Sequence, residues 1–336
     1  MKTTIAKFSN RIGGRSLVEI MIALTIGMVI LLAVTSLFIG NRQMFRVSDD
    51  KTRLDEEGRL ALHLMATQIR MAGYGTLLGS KADTVDKDGN AIPRLDTSAS
   101  EDQANAIRGC RNGFADPAVV AFTCAPGVGS DAFSVSRDVD QFSTTIASGG
   151  LMATDCLGGN VIVTASRQLN IRKEDPDVAH TGPLFKIVNR FFIKNNPDTG
   201  NPELYCQGNG DTLVNDLKFK TPAQPIAENV ETMRLLYGIS TDALPGKSRA
   251  DRYVTADAID ISLPAVPPGE RWTRVVSVKV CIVVRSANNN VVTAPQSYRD
   301  CEDQAVVATD RRLRGVFSTT VAIRSRTVGA TSMGGI

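Results

Sequence analysis

The sequence has only two histidines, His63 and His180, so it offers few residues for a histidine-based catalytic triad or metal cluster. Its six cysteines stand singly, without the C-x-x-C pairs of zinc and thioredoxin-like redox sites. It contains no G-x-S-x-G elbow, no G-x-x-x-x-G-K-[ST] phosphate loop and no H-E-x-x-H helix. The net charge is only +3, so the composition does not indicate a nucleic-acid-binding surface. These patterns propose no enzyme, metal or cofactor.

Proline is also missing before Pro93, so nothing forces a break in a helix over the first part of the chain. The apolar run 20–39 is about as long as the roughly 20 residues that cross a membrane. Beyond it, apolar or small residues recur at helical spacing. We therefore predict one helix from about Ser16 to Ala72, with a transmembrane part (15–40) and an amphipathic part (41–75), ended by Gly73 and Gly75. The predicted amphipathic face contains Val47, Leu54, Gly58, Ala61, Leu62, Met65, Ile69 and Ala72.

The remaining chain, 76–336, is expected to form a β-rich head. Residues 76–105 are polar and turn-rich, which indicates an exposed loop. Short β-branched or aromatic runs follow and predict mainly antiparallel strands, so the fold class is α+β. We interpret the charged run 310–314 as a solvated edge rather than a docking patch. The predicted strands cover residues 119–123, 161–164, 184–188, 191–193, 228–237, 275–285 and 316–324.

All six cysteines lie after the apolar run, which favours disulfides in an oxidising compartment over free thiols in a reducing one. Fifteen connectivities are open to six cysteines. Sequential pairing closes the shortest loops and is our prediction. The predicted pairs are Cys110 with Cys124, Cys156 with Cys206 and Cys281 with Cys301.

The segment before the apolar run carries Lys2, Lys7 and Arg11 and no acid, so the positive-inside rule predicts a cytoplasmic N-terminus. A cleaved secretory signal is the alternative, although its apolar core is normally shorter. Glu19 lies in the predicted transmembrane part, directly before the apolar run 20–39. A carboxylate there is expensive and suggests a functional site, unless it only reaches back to the membrane surface.

Gly14 followed by Arg15-Ser16-Leu17-Val18-Glu19 and a long apolar run resembles the signal of the type IV pilin family. The resemblance implies that residues 1–14 are a prepilin leader and that a prepilin peptidase cuts between Gly14 and Arg15. It also implies N-methylation of Arg15, where the family usually has phenylalanine, and an ion pair between Glu19 and the N-terminal ammonium of a neighbouring subunit. The segments 57–61, 69–74, 155–158, 204–206 and 314–320 resemble PilW-like minor pilins.

This resemblance implies a minor pilin that primes or caps a type IV pilus and supports motility, adhesion or DNA uptake. The implied partners are the prepilin peptidase, the inner-membrane assembly platform, other minor pilins and the major pilin. The implied location is the bacterial inner membrane, with the head in the periplasm, and then the pilus at the cell surface. A type II secretion pseudopilin and a ligand-binding module at a fibre tip are the alternatives. A membrane-anchored periplasmic enzyme is a third, which would need a catalytic group that the sequence does not display.

Overall fold

The computed structural model describes residues 16–74, 106–119, 121–139, 145–147, 150–161, 165–170, 179–210, 219, 222–241 and 249–327. The chain divides into two compact units, Met1–Asp49 and Asp50–Ile336. We call them the anchor unit and the head unit and describe each by itself. The predicted loop, residues 76–105, lies outside the described residues. The described chain resumes at Ala106.

The helix α1 (Leu17–Met71) forms where the sequence predicts it. Its first turn is closed by the carbonyl of Ser16, which accepts the N–H groups of Glu19 and Ile20 at 3.0 and 3.2 Å. A carboxylate in the first turn is also favourable beside the positive end of the helix dipole. The helix ends before Gly73, whose φ of +69° is a left-handed conformation that glycine adopts without steric cost. The N–H of Gly73 then donates to the carbonyl of Ser136 at 2.7 Å, which ties the end of α1 to a strand.

The described strands form four antiparallel sheets, which confirms the predicted α+β class. The largest has the order β1-β2-β7-β8-β9, with β6 also paired to β7. Its strands are β1 (Ile107–Cys110), β2 (Ala132–Val139), β6 (Ala165–Asn170), β7 (Ala179–Asn195), β8 (Pro202–Gly208) and β9 (Gln224–Ala227). We call it the first sheet.

The second sheet has the order β11-β10-β12-β15. Its strands are β10 (Val230–Ile239), β11 (Arg252–Val254), β12 (Val275–Arg285) and β15 (Arg314–Ala322). The two small sheets contain β3 (Thr145–Ala147), β4 (Gly150–Thr154) and β5 (Asn160–Val161), and β13 (Ser297–Arg299) with β14 (Ala305–Val307). The short helices are α2 (Ile259–Ser262), α3 (Arg324–Thr327) and the 3-10 turns Ala256–Ala258 and Pro268–Arg274.

The C-terminal part of α1 belongs to the core of the head unit. Its buried side chains share one hydrophobic cluster with both large sheets, and Met65 and Ile69 are fully buried. Gly58 lies against the ring of Phe317 on β15, and a Cβ at Gly58 would come within 2.5 Å of that ring. The small residue is therefore required for this close approach. The buried residues of α1 are Asp50, Leu54, Gly58, Ala61, Met65, Ala66 and Ile69.

Several predicted strands are confirmed, with β12 spanning the predicted range and β10 and β15 displaced by two residues. The predicted runs 184–188 and 191–193 are one strand, because Asn189 and Arg190 between them are buried and hydrogen-bonded. The strand predicted over 119–123 is wrong. The described residues there follow a local path in which the N–H of Ala115 donates to the carbonyl of Thr123.

The cysteines pair sequentially in the structure, as Cys110–Cys124, Cys156–Cys206 and Cys281–Cys301. No cysteine of the described chain is left with a free thiol. Each disulfide fastens a loop to a strand of one of the large sheets, because Cys110, Cys206 and Cys281 lie on β1, β8 and β12.

Candidate assembly site

The anchor unit presents an apolar surface that its own chain does not cover. In α1, an 18-residue window with a mean hydropathy of 2.7 is long and apolar enough to cross a membrane, and none of it is buried within the chain. Leu24, Leu31 and Phe38 are each about two thirds exposed. Such a surface is stable in lipid or against other helices. The structure therefore supports membrane anchoring by α1.

The hydroxyl groups in this apolar run are bonded within the helix itself. Thr25 donates to the carbonyl of Ile22 at 2.9 Å, and Thr35 donates to that of Leu31 at 2.7 Å. Ser36 does the same one turn back, to Ala33. Each hydroxyl group thus donates to a backbone carbonyl and needs no water as its acceptor. These residues therefore do not oppose insertion of the helix into an apolar medium.

Glu19 lies in the first turn of α1, with an exposed side chain. Among residues 16–74 and the described parts of the head, no cation forms an ion pair with its carboxylate. The other predicted processing residues, Gly14 and Arg15, lie outside the described residues. Cleavage, N-methylation and the assembly ion pair therefore stay predictions.

In the head unit, a charge cluster joins the first sheet to the second. Asp131, 2% exposed, accepts the N–H of Leu235 on β10 at 2.8 Å and a hydrogen bond from Arg234 at 3.2 Å. Arg111 approaches the same carboxylate at 3.5 Å and also pairs with Glu302. Burial raises the pKa of Asp131 to about 6, although its backbone partner and both arginines act in the opposite direction. The cluster also connects two disulfides, since Arg111 follows Cys110 and Glu302 follows Cys301.

A second cluster corrects our interpretation of residues 310–314 as a solvated edge. Arg314 is 9% exposed and forms two hydrogen bonds with Glu231 on β10, at 2.7 and 2.9 Å. It also donates to Asp310 at 2.6 Å, and these partners raise the pKa of its guanidinium. Arg312 donates to the carbonyls of Ser286 and Ala287. Asp310, Arg312 and Arg314 of this run bond to other groups of the head. The run is therefore neither a solvated edge nor an open basic patch.

Asp155 organises the turn beside the Cys156–Cys206 disulfide. One carboxylate oxygen accepts the N–H groups of Leu157 and Gly159, both at 2.9 Å, and the other accepts that of Gly210 at 2.8 Å. A Cβ on Gly208 would meet this carboxylate within about 2 Å, which explains the glycine there. The predicted resemblance over 155–158 thus falls on a turn that has a definite structural role.

Arg190 is a buried cation that the sequence analysis did not identify. It is 1% exposed and donates to the carbonyls of Pro117 and Val119 at 3.0 and 2.5 Å. Its guanidinium also lies 4.9 Å from the centre of the Phe219 ring, within cation–π range. In the sequence, Arg190 is a charged residue between two strand-like runs. A prediction from hydrophobic alternation therefore ends one strand before Arg190 and begins another after it.

The described residues were compared with the requirements of a metal site. Over those residues there is no group of three or more histidine, cysteine, aspartate or glutamate side chains that could hold a metal ion. The charged side chains described above bond to one another or to backbone groups. These ion pairs and hydrogen bonds connect strands and loops of the head to one another.

Comparison with known families identifies part of this head. Residues 190–325 match the family model Type IV Pilus-assembly protein W. The matched region begins at Arg190 on β7, includes the whole second sheet and ends in α3. It covers about two fifths of the chain and links it to a type IV pilus-related family. No curated protein and no solved structure gave a significant match.

Proposed function

We propose that the chain is a minor pilin that helps to prime or cap a type IV pilus, in support of motility, adhesion or DNA uptake. The observation that carries the proposal is the match of residues 190–325 to the pilus-assembly family. The apolar helix α1 agrees with it, because pilus subunits must be held in the membrane before assembly. In this proposal the head has an assembly role and no catalytic one.

The proposed sequence of events begins in the inner membrane. Residues 1–14 stay on the cytoplasmic side, the prepilin peptidase cuts between Gly14 and Arg15, and the new N-terminus is methylated. The head stands in the periplasm, where its three disulfides are stable. The chain then joins other minor pilins and the major pilin through the assembly platform and reaches the cell surface.

Glu19 has a specific role in this proposal. Cleavage creates a cationic amino group four residues before the carboxylate, and a neighbouring subunit offers the same pair. An ion pair between the Glu19 carboxylate of one subunit and the N-terminal ammonium of the next offsets the cost of burying both charges. A wrong register leaves a charge unpaired in lipid, which costs several kcal/mol, so the pair sets the register of assembly.

Intact mass and N-terminal sequencing of the chain from its native membrane test the processing step. We expect a chain that begins at Arg15, and this establishes the processing step with or without a methyl group on the new N-terminus. A chain that still begins at Met1, or one cut after Ile39, would show that the Gly14 to Glu19 pattern is not a prepilin signal.

The Glu19→Ala variant tests the assembly step. We expect normal membrane insertion and loss of incorporation into sheared fibres. Glu56→Ala is the matched control, because Glu56 is also an exposed glutamate on α1 but lies outside the apolar part. Normal incorporation of the Glu19 variant would contradict the proposed ion pair.

A deletion strain separates the proposed function from the type II secretion alternative. Loss of surface fibres with normal secretion supports the pilus. Loss of exoprotein secretion with normal fibres would identify a pseudopilin instead. Complementation with the intact chain controls for effects on neighbouring genes.

A further inference from the structure

Two arginines follow the apolar run of α1 on one face of the helix. From residue 20 to residue 48, Arg42 and Arg46 are the only charged residues, and both have exposed side chains. They stand four positions apart, so they lie one above the other on the same helical face. Neither side chain forms an ion pair or hydrogen bond with another residue of the described chain. An anion that pairs with them has to come from elsewhere.

The position of the two arginines along α1 matches the depth of lipid phosphates. The apolar run ends at Ile39, and an α-helix rises about 1.5 Å per residue, so Arg42 lies about 5 Å and Arg46 about 10 Å beyond it. The headgroup layer of each leaflet is about 5 to 8 Å thick, because a bilayer of about 40 to 45 Å has a core of about 30 Å. Side chains on a helix tilt toward its N-terminus, which directs Arg46 back toward this layer.

The surroundings of the arginines favour a lipid over a dissolved ion. Phe38 precedes Arg42 by four positions and Phe45 follows it by three, so both rings lie on the same helical face as the arginines. The two phenylalanines are 65% and 76% exposed. Acyl chains below the phosphate can cover Phe38, which no free anion can do.

The predicted orientation of the chain gives a further reason to look for a ligand. The positive-inside rule disfavours cations on the side opposite the basic segment 1–14, and Arg42 and Arg46 lie on that side. A bound anion removes this disadvantage by pairing with both charges.

We propose that Arg42 and Arg46 together bind the phosphate of one anionic phospholipid, in the leaflet on the C-terminal side of the apolar run. Each guanidinium donates two N–H groups to phosphate oxygens, a geometry that suits arginine better than lysine. A lipid such as phosphatidylglycerol is favoured over phosphatidylcholine, because its headgroup carries no cation of its own to repel the arginines. The proposal needs only that α1 spans the membrane, so it can hold or fail independently of the proposed function.

This contact fixes the depth of α1 in the membrane. Arg42 lies 23 positions after Glu19, which corresponds to about 35 Å along the helix. With Arg42 about 5 Å beyond a hydrocarbon core of about 30 Å, Glu19 lies at the opposite boundary of that core. The bound lipid thus holds the carboxylate where it can still reach the membrane surface.

Titration of the full chain in detergent with phosphatidylglycerol, followed by native mass spectrometry, tests the proposal. We expect the native chain to retain one phosphatidylglycerol molecule. The Arg42→Gln/Arg46→Gln variant should bind this lipid about 25-fold more weakly, since each arginine near an anionic lipid strengthens binding about fivefold. Arg42→Lys/Arg46→Lys should lie between the two, because it keeps the charge and loses the bidentate geometry.

Arg59→Gln/Arg70→Gln is the matched control. It also removes two exposed arginines from α1, but these lie beyond Asp50, in the head unit. The basic residues of segment 1–14 are the same in every variant, so they do not affect the comparison. Phosphatidylcholine and inorganic phosphate are the control ligands. The first has its own cation and the second has no acyl chains, so both should bind the native chain more weakly.

A depth measurement locates the site. The native cysteines are all paired, so a Gln43→Cys chain carries a single free thiol for a fluorescent label. Gln43 follows Arg42 directly and is exposed and uncharged. In vesicles of phosphatidylcholine and phosphatidylglycerol, a nitroxide on the headgroup should quench the label more strongly than a nitroxide in the middle of the acyl chains.

Four results would overturn the proposal. The first is unchanged phosphatidylglycerol binding by Arg42→Gln/Arg46→Gln, and the second is an equal loss in Arg59→Gln/Arg70→Gln. The third is tight binding of inorganic phosphate at the arginines, which would identify a free-anion site. The fourth is quenching of the Gln43→Cys label mainly by acyl-chain nitroxide or by dissolved iodide, which would place the arginines at the wrong depth.

Discussion

The two parts of α1 have the same backbone structure but opposite surroundings. Before Asp50 the apolar side chains are exposed, as at Met28, which is 65% exposed. After Asp50 one face of the helix is buried, as at Met65, which is 0% exposed. The head unit therefore finds its stabilisation within its own chain, whereas the anchor unit has to find it in lipid or in other subunits. Changes of the same kind in the two units should have different effects.

The largest effect is expected from the disulfides, which exist only in the head unit. Replacing Cys156 and Cys206 together by alanine should lower the free energy of unfolding by about 4 kcal/mol, because their loop spans 50 residues. The same change at Cys110 and Cys124, with a separation of 14, should cost about 3 kcal/mol. Denaturant unfolding in detergent can be followed by Trp272, the single tryptophan, which is buried in the head.

Membrane association of both variants should be unchanged, since the anchor unit contains no cysteine. A larger loss from the Cys110–Cys124 pair than from Cys156–Cys206 would contradict the chain-entropy explanation. Native contacts around β1 would then be the source of the stabilisation.

The second prediction compares two methionines of the same helix. Met65→Ala should lower the free energy of unfolding of the head by about 2 to 5 kcal/mol, because it leaves a cavity among fully buried side chains. Met28→Ala should leave the Trp272 transition unchanged, because Met28 is 65% exposed and lies in the anchor unit, outside the hydrophobic core of the head. Equal shifts of the two transitions would show that the anchor also stabilises the head.

Much of the fold could be predicted because apolar residues recur at the period of a helix or of a strand. The 3.6-residue pattern placed α1 to within one residue at each end. The alternation of valine and isoleucine placed β12. Sequential pairing was predicted because it closes the shortest loops, and it is the pairing that the structure contains. For α1 and β12 the local sequence determines the structure.

The pattern failed where polar side chains are buried. β2 was not predicted because Ser134 and Ser136 are buried along with its apolar residues, which hides the alternation. β8 was missed because all seven of its residues are buried, including Glu203 and Gln207. The Arg314–Glu231 pair joins residues 83 positions apart, and the pattern of one sequence contains no signal for such a contact. Glu19, the candidate site residue, came from a motif, and its role stays a prediction.

The third prediction compares two glycines of α1. Gly58→Ala should lower the free energy of unfolding by about 1 to 3 kcal/mol, because the new Cβ would overlap the Phe317 ring. Gly40→Ala meets nothing within 4 Å and should at most stabilise the local helix by about 1 kcal/mol. The Trp272 transition measures the first effect, and helix content by circular dichroism measures the second. A Gly58 variant as stable as the Gly40 variant would mean that Phe317 can move aside.

The smallest effect concerns one acid in each unit, Asp131 in the head and Glu19 in the anchor. Asp131 has its cations, Arg111 and Arg234, within the head, whereas Glu19 has none among the described residues. Burial raises the pKa of Asp131 from its usual 3.8 to about 6 in the folded chain. Between these values the folded state holds a proton that the unfolded state releases, so the contribution of Asp131 to stability falls as the pH rises from about 4 to about 6.

The Asp131→Asn variant isolates this contribution, because asparagine can still accept the N–H of Leu235 but does not titrate. Unfolding monitored by Trp272 at several pH values should give profiles for the two proteins that differ by about 1 kcal/mol per pH unit between pH 4 and 6 and run parallel above pH 6. Parallel profiles over the whole range would show that Arg111 and Arg234 hold the pKa of Asp131 near its usual value. The ionisation of Asp131 would then make no contribution to stability that depends on pH, because its pKa would be the same in the folded and unfolded states.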